Sequence, residues 1–200
     1  PGNQFHVFNE KEEWQVELET LEKRKATVKV INQIQNKCDP KQKVSLYQAI
    51  PKKQALFELV IQKATELGVH DIYPLVTERT ESKRLHKMER LQMIAIEATE
   101  QCGGRHVPTI HPPVDFKKVI GILKKGFMAY EAEEEKYLSD YEKELSSSGE
   151  IQLLIGPEGG FSEKEVELAK KNNVKSFSMG KRILRTETAA MAGLSLILLS

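Results

Sequence analysis

The first 36 positions alternate between apolar and polar residues. Gln4-Phe5-His6-Val7-Phe8, Trp14-Gln15-Val16-Glu17-Leu18 and Ala26-Thr27-Val28-Lys29-Val30-Ile31 carry hydrophobic side chains at the period of a half-buried strand. Asn9-Glu10-Lys11-Glu12 is the turn between the first two. Three such strands predict a small antiparallel β unit that is marginal by itself. The polar, proline-containing stretch Asn36-Lys37-Cys38-Asp39-Pro40-Lys41 marks a domain boundary.

Beyond it the rhythm becomes strand, helix, strand, helix, which predicts a parallel α/β sheet. Strands are expected at Val44 to Ala49, Asp71 to Val76, Gly126 to Tyr130, Ile151 to Ile155 and Val174 to Met179. Ile151 to Ile155 is uninterruptedly apolar, as in a strand covered on both faces. A helix over Lys53 to Leu67 places Leu56, Val60, Ala64 and Leu67 on one face, with Gly68 suited to a left-handed cap. A second runs from near Leu85 to Glu100, with Leu91, Ile94, Ala95 and Ala98 inward, and a third over Asp115 to Lys124. Glu131 to Ser148 is highly charged and reads as solvated. Ser162 and Glu165 form a capping box for the next helix. Thr186 to Leu199 is a helix apolar on nearly all sides, which predicts burial, in part against a second subunit.

Two hundred residues suffice for a sizeable core, and 30% charged with 40% hydrophobic residues is an ordinary globular composition. A net charge of +1 excludes a uniformly basic nucleic-acid coat but not a local basic patch. No apolar run is long enough to span a membrane. The opening Pro1-Gly2-Asn3-Gln4-Phe5 is not a signal peptide and leads straight into a strand, so the chain is expected to begin earlier. Cys38 and Cys102 have no partners at metal-ligand spacing, and no histidine pair forms a zinc signature. Free thiols in the cytoplasm and no metal are the expectation.

Chemistry concentrates near the C-terminus. Leu153-Leu154-Ile155-Gly156-Pro157-Glu158-Gly159-Gly160-Phe161-Ser162 runs from a buried strand through a glycine-rich loop into a capped helix, where open α/β sheets bind ligands. The loop lacks the Gly-Lys-Ser/Thr ending of a phosphate loop. Glu158 also opposes a polyphosphate, and its charge favours a cationic ligand such as S-adenosylmethionine. In Met179-Gly180-Lys181-Arg182-Ile183-Leu184-Arg185-Thr186-Glu187-Thr188-Ala189-Ala190 a second strand feeds a helix through a glycine turn. A helix start accounts for Thr186 as a cap and Glu187 as a first-turn acid. It does not account for Arg185, whose cation sits at the wrong end of the helix dipole and calls for another partner.

The G-P-E-G-G-F-S loop with the following M-G-K-R-I-L-R-T-E-T-A segment resembles the RsmE-type 16S rRNA uridine-N3 methyltransferases of the SPOUT superfamily. The middle of the chain agrees: Lys53, Gln62-Lys63-Ala64-Thr65-Glu66-Leu67-Gly68-Val69, Pro74-Leu75, Thr77-Glu78-Arg79, Ile96-Glu97-Ala98 and Glu100-Gln101-Cys102-Gly103-Gly104-Arg105. The resemblance covers essentially the whole chain. It departs in an N-terminal β unit that is cut short and in a shorter tract between Arg79 and Met93.

The resemblance implies a partial PUA-like β-barrel domain over residues 1–36, for RNA binding, and a SPOUT methyltransferase domain over residues 37–200 with a C-terminal trefoil knot. It implies a homodimer, S-adenosylmethionine as cofactor, and 16S rRNA in the small ribosomal subunit as partner. Carried over by motif, Ile155, Gly156, Pro157, Glu158 and Gly159 line the cofactor pocket, with Tyr130 and Glu131 at the preceding strand end. Met179, Gly180, Ile183, Leu184, Thr188 and Ala189 complete it. Arg185 is the candidate for stabilising negative charge on the uracil carbonyls, and Glu187 for the base or for orienting Arg185. Arg79, Lys83 and Arg84 belong to a basic run that reads either as a solvated face or as phosphate contacts. Gln101 and Arg105 beside Gly103-Gly104 read as RNA contacts or as loop caps. The alternative function is a non-catalytic RNA-binding ribosome-assembly protein that retains the fold.

Overall fold

In the computed structural model, which describes residues 1–9, 12–35, 39–147 and 149–199, the alternating N-terminal segment forms β1 (Gln4–Phe8), β2 (Glu13–Leu21) and β3 (Ala26–Ile34). They pair antiparallel in that order, with register slips between Gln15 and Val16 and between Leu18 and Thr20. Burial departs from the expected alternation. Val16 is fully buried, but Phe5, Val30 and Ile31 are 40%, 57% and 44% exposed. The period of two therefore reports the pleat, not a covered face. In the first turn the Asn9 side chain accepts from the Glu12 amide at 2.9 Å; Glu10 and Lys11 lie outside the described residues. So do Asn36, Lys37 and Cys38 of the expected boundary.

The rest alternates as expected: β4 (Val44–Ala49), α1 (Gln54–Glu66), β5 (Asp71–Val76), α2 (Met88–Cys102), β6 (Thr109–Ile110), β7 (Val114–Asp115), α3 (Phe116–Val119), β8 (Gly126–Ala129), α4 (Glu142–Ser146), β9 (Ile151–Ile155), α5 (Glu163–Lys171), β10 (Lys175–Phe177) and α6 (Thr186–Leu198). The sheet is parallel, in the order β10-β8-β9-β4-β5-β6, with β7 also on β5. Every residue of β4 and β9 is buried, because helices cover both faces, and this is why neither strand alternates. On one face Phe57, Ile61, Leu91 and Leu194 pack over Leu46 and Leu153; on the other, Phe116, Phe161 and Val166 cover Tyr47 and Leu154. A side chain on Gly193 would meet the Leu153 methyl at 3.0 Å, so α6 lies directly on β9.

Pro74 explains the interrupted edge. Ile72 accepts from the His111 amide on the outer side of β5, and Leu75 accepts from the Ile50 amide on the β4 side. Alternation puts Pro74, which has no N–H, on the outer side, where β6 has ended and β7 has not begun.

Several expected boundaries are corrected. The buried face of α1 is Phe57, Val60, Ile61, Ala64 and Thr65, one position round from the expected stripe. Helix α2 begins at Met88 instead of Leu85, because Lys87 takes a left-handed conformation with φ 55°. Helix α3 is a single turn and stops before Gly121. The charged segment after β8 is largely exposed, as expected, and is anchored at a few points: Leu138 is buried in a 3-10 turn, Tyr137 bridges to Ser178, and the Tyr141 hydroxyl donates to the Ser176 carbonyl at 3.1 Å. Helix α6 buries one face; Leu196 on the other, and Leu199 at the C-cap, are 54% and 69% exposed. Among the described residues no helix is long and apolar enough to cross a membrane.

Candidate active site

The C-terminal ends of β8, β9 and β10, three adjacent strands, open into a cleft of about 910 Å³. Its walls are the loop after β8, the Gly156–Gly160 loop after β9, and Ser178 to Arg185 with the first turn of α6; Leu56 of α1 closes one side. Both glycine-containing segments that stand out in the sequence are thus brought together at strand ends, the place where parallel sheets accommodate ligands.

The β9 loop is held by contacts from several other segments. Gly160 has φ 68°, and a Cβ there would lie 2.0 Å from Glu131 Oε1, so the Glu131 carboxylate rests against the loop where a side chain would be. Arg79 donates to the carbonyls of Gly159 and Phe161 at 2.6 and 3.5 Å. The Lys52 amide donates to Glu158 Oε1 at 2.9 Å, and the Lys52 ammonium pairs with Glu81. At the loop's far end the expected capping box is present and extended. Glu165, only 3% exposed, accepts from the amides of Ser162 and Glu78, while the Ser162 hydroxyl donates to Glu78. The turn after β5 thereby buttresses the cleft loop.

On the opposite wall Lys181, Arg182 and Arg185 are exposed. Among the described residues no carboxylate pairs with Arg185, which stands at the N-cap of α6 in extended conformation. The helix-cap role expected of Thr186 is therefore corrected. It lies one residue inside the helix, and its hydroxyl donates to the Gly156 carbonyl at 2.6 Å. Glu187, in the first turn, is buried. The Ser176 hydroxyl, 2.5 Å from Glu133, holds that carboxyl below the usual carboxylate range against the opposing effect of burial. Five carboxylates (Glu131, Glu133, Glu134, Glu158 and Glu187) border the cleft against three cations. Three of the carboxylates lie on the loop after β8, which suits a cationic ligand, and the cations lie on the segment before α6, which suits an anion.

Of the residues expected at the cofactor, Tyr130, Glu131, Ile155, Gly156, Pro157, Glu158 and Gly159 border the cleft, as do Met179, Gly180, Ile183, Leu184 and Ala189. Ile183 does so at the rim, with 89% of its surface exposed. Thr188 does not border it; the step from Glu187 turns it about 100° round the helix, to the exposed side. Arg185 and Glu187 lie within the cleft wall. Of the residues expected at RNA, Arg79 braces the cleft loop and the others are elsewhere. Lys83 and Arg84 are exposed on the irregular segment before α2, and Gln101 is exposed at its end. The Arg105 amide donates to Asp39 at 3.0 Å and its guanidinium lies 3.5 Å from the same carboxylate. Cys102 is exposed, its thiol turned to the Thr99 carbonyl. Sequence reasoning missed Glu133, Glu134, Lys181 and Arg182 as cleft residues; their proximity to the motif segments was the available signal.

A family model described as RNA methyltransferase domain matches residues 38–198. The chain is 33% identical over 166 residues to ribosomal RNA small subunit methyltransferase E of Mesomycoplasma hyopneumoniae, covering 81% of this chain and 72% of that protein. It is 33% identical over 189 residues to the protein of the same name from Synechocystis, covering 92% and 61%. Among solved structures, ribosomal RNA small subunit methyltransferase E from Neisseria gonorrhoeae bound to S-adenosyl methionine superposes with a TM-score of 0.90 at 28% identity, over 98% of this chain and 82% of that one. A putative methyltransferase from Legionella pneumophila with bound cofactor SAM gives 0.88 at 34%, over 98% and 82%. The SpoU methyltransferase from Streptomyces viridochromogenes, at 14% identity and a TM-score of 0.53, shares the fold alone.

Proposed function

The chain belongs to the RNA methyltransferase domain family, and from that premise we propose that it methylates N3 of a uridine in small-subunit (16S) ribosomal RNA, with S-adenosylmethionine as donor. The observation that carries the reading is the cleft between the loop after β8, the Gly156–Gly160 loop and the Ser178–Glu187 segment. It joins Glu131, Glu133 and Glu134 on the first, suited to a molecule with a sulfonium and an ammonium, to the cationic rim of Lys181, Arg182 and Arg185, suited to RNA.

When bound, S-adenosylmethionine supplies an electrophilic methyl group. The loops formed by Ile155 to Gly159 and by Met179 to Leu184 hold it, with Tyr130, Glu131 and Ala189 beside them; Thr188, turned outward, is the weakest of the expected contacts. Uridine N3 carries a proton at neutral pH, so attack requires its loss to a base or to water, and a cation stabilises the charge that develops on the uracil carbonyls. Arg185 serves as that cation: it is exposed in the cleft wall and has no carboxylate partner among the described residues. Glu187, next along the first turn, acts as base or orients Arg185. Bringing nucleophile and methyl carbon to about 3–3.5 Å can supply about 7–11 kcal/mol of the rate enhancement. The target base must leave its stack to reach them.

Residues 37–200 form the catalytic domain, with the trefoil knot of the SPOUT class in its C-terminal part, and residues 1–36 belong to a PUA-like RNA-binding barrel. The three-stranded sheet and a family match that starts at residue 38 support this division. Lys83, Arg84 and Gln101, all exposed, contact RNA, with Arg79 and Arg105 contributing whatever their loop contacts leave available. The enzyme works in the cytoplasm as a homodimer, joined in part through the exposed side of α6.

The test is methylation of small ribosomal subunits that lack the modification, followed by nucleoside mass spectrometry. 3-Methyluridine is the expected product, and a methylated product of another kind would move the target atom. Calorimetry with S-adenosylmethionine and with ATP should show binding of the first only.

A further inference from the structure

A chain of hydrogen bonds runs behind the cleft. Gln48, fully buried at the end of β4, donates from Nε2 to the Thr186 hydroxyl at 2.8 Å and to the Ala49 carbonyl at 2.9 Å. Thr186 in turn donates to the Gly156 carbonyl at 2.6 Å. A hydroxyl has one proton. Since Thr186 gives its proton to Gly156, it can only accept from Gln48, so the amide must present Nε2. Its Oε1 is then buried with no hydrogen-bond partner among the described residues. The flipped amide would draw the Thr186 proton to itself and leave the Gly156 carbonyl without a donor.

An unpaired buried acceptor is unfavourable, and an apolar side chain of similar length would fill the same space without one. A local rule broken at such a position points to a functional constraint. The chain joins the turn that begins the cofactor loop to the first turn of α6, where Arg185 and Glu187 flank Thr186. Gln48 itself lies outside the cleft lining.

We infer that Gln48 and Thr186 are positioning residues that fix the spacing between the Gly156 loop and Arg185, and so between the methyl donor and the charge-stabilising cation. This rests on the methyl-transfer reading above. A displacement of about 1 Å in such a site can cost on the order of a hundred-fold in rate.

The experiment compares the full chain with Thr186→Ser, Thr186→Val, Gln48→Met and the double variant Gln48→Met/Thr186→Val. The measurements are melting temperature, S-adenosylmethionine affinity by calorimetry, and the single-turnover rate on small subunits at saturating cofactor. Thr186→Ser keeps the hydroxyl and should stay within about threefold of wild type. Thr186→Val and Gln48→Met should each slow the chemical step by about ten- to a hundred-fold, with much smaller changes in affinity. The double variant should be no slower than Thr186→Val, because both changes break one chain. Should Thr186→Val fail to fold, Gln48→Met carries the test. Normal rates in the two single variants, multiplied losses in the double, or affinity falling in step with rate would each overturn the inference. A wild-type chain that neither binds the cofactor nor transfers a methyl group would instead overturn the methyl-transfer reading, and this inference with it.

Discussion

The carboxylate of Glu131 lies against the Cα of Gly160, and an added Cβ there would come within 2.0 Å of Glu131 Oε1. Two neighbouring cleft loops are thereby keyed together by the absence of a side chain. Gly160→Ala should disturb both backbone and contact. The left-handed conformation alone costs about 1–2 kcal/mol for a residue with a Cβ, and Glu131 must also move. Calorimetry should show S-adenosylmethionine binding weakened by about tenfold or more. Unchanged affinity would mean that the loops separate without consequence for the ligand.

Arg185→Ala should lower turnover by roughly a hundred- to a thousand-fold, about 2.7–4 kcal/mol, with far less effect on cofactor affinity. In the proposed reaction the cation is useful when charge develops on the uracil, not in the resting complex. Arg185→Lys should recover part of the rate, since an ammonium lacks the planar fork. Equal losses in affinity and rate would make Arg185 a pocket residue.

Glu165→Ala removes the acceptor of the Ser162 and Glu78 amides at a site that is 3% exposed. Buried donors left unpaired cost about 1–3 kcal/mol, and a chain of this size loses roughly 2–4 °C of melting temperature per kcal/mol. Thermal denaturation should show a clear drop.

The Ser176–Glu133 contact predicts a pH-dependent contribution to stability. The folded-state pKa of Glu133 is depressed, chiefly by the Ser176 hydrogen bond. Its stabilisation is present above the unfolded pKa of about 4.3 and is lost as pH falls through the folded value. Ser176→Ala should therefore be less stable than wild type at pH 7, with the difference closing below about pH 4. A difference that stays constant with pH would assign it to packing.

Lys83→Ala and Arg84→Ala should weaken RNA binding evenly across sequences and each reduce the salt slope of log K by about 1. Arg79→Ala should loosen the cleft loop as well, because its guanidinium is bonded to Gly159 and Phe161. Cofactor affinity separates the two effects: it should hold in the first pair and fall in the third variant.

The contrast between Ser162 and Gln48 shows what the sequence could convey. Ser162 and its capping partner Glu165 are three residues apart, so the helix start was legible from spacing alone. The two glycine-containing cleft segments are contiguous and were legible for the same reason. Gln48 meets Thr186 across 138 positions, and nothing local to β4 announces the contact. Arg79 was legible as part of the Thr77-Glu78-Arg79 motif and of a basic run, but not as a brace of the cleft loop, because its acceptors are backbone carbonyls 80 and 82 residues away. Charge along Glu131 to Ser148 conveyed the exposure of that segment but not its path, which two tyrosines and Leu138 set. Pattern reports local geometry; it cannot report which distant backbone group a polar side chain will find.

The register that sets Val44 beside Ile151 has a consequence for biosynthesis. Strand β4 acquires one neighbour, β5, soon after it is made, but its other neighbour is encoded roughly a hundred residues later. At about 5–20 residues per second, the ribosome leaves that side of the strand open for on the order of 5–20 s. A strand buried at every residue in the finished enzyme is thus, while nascent, a long-lived open edge. Slowing elongation between these two strands should favour misassembly and chaperone capture.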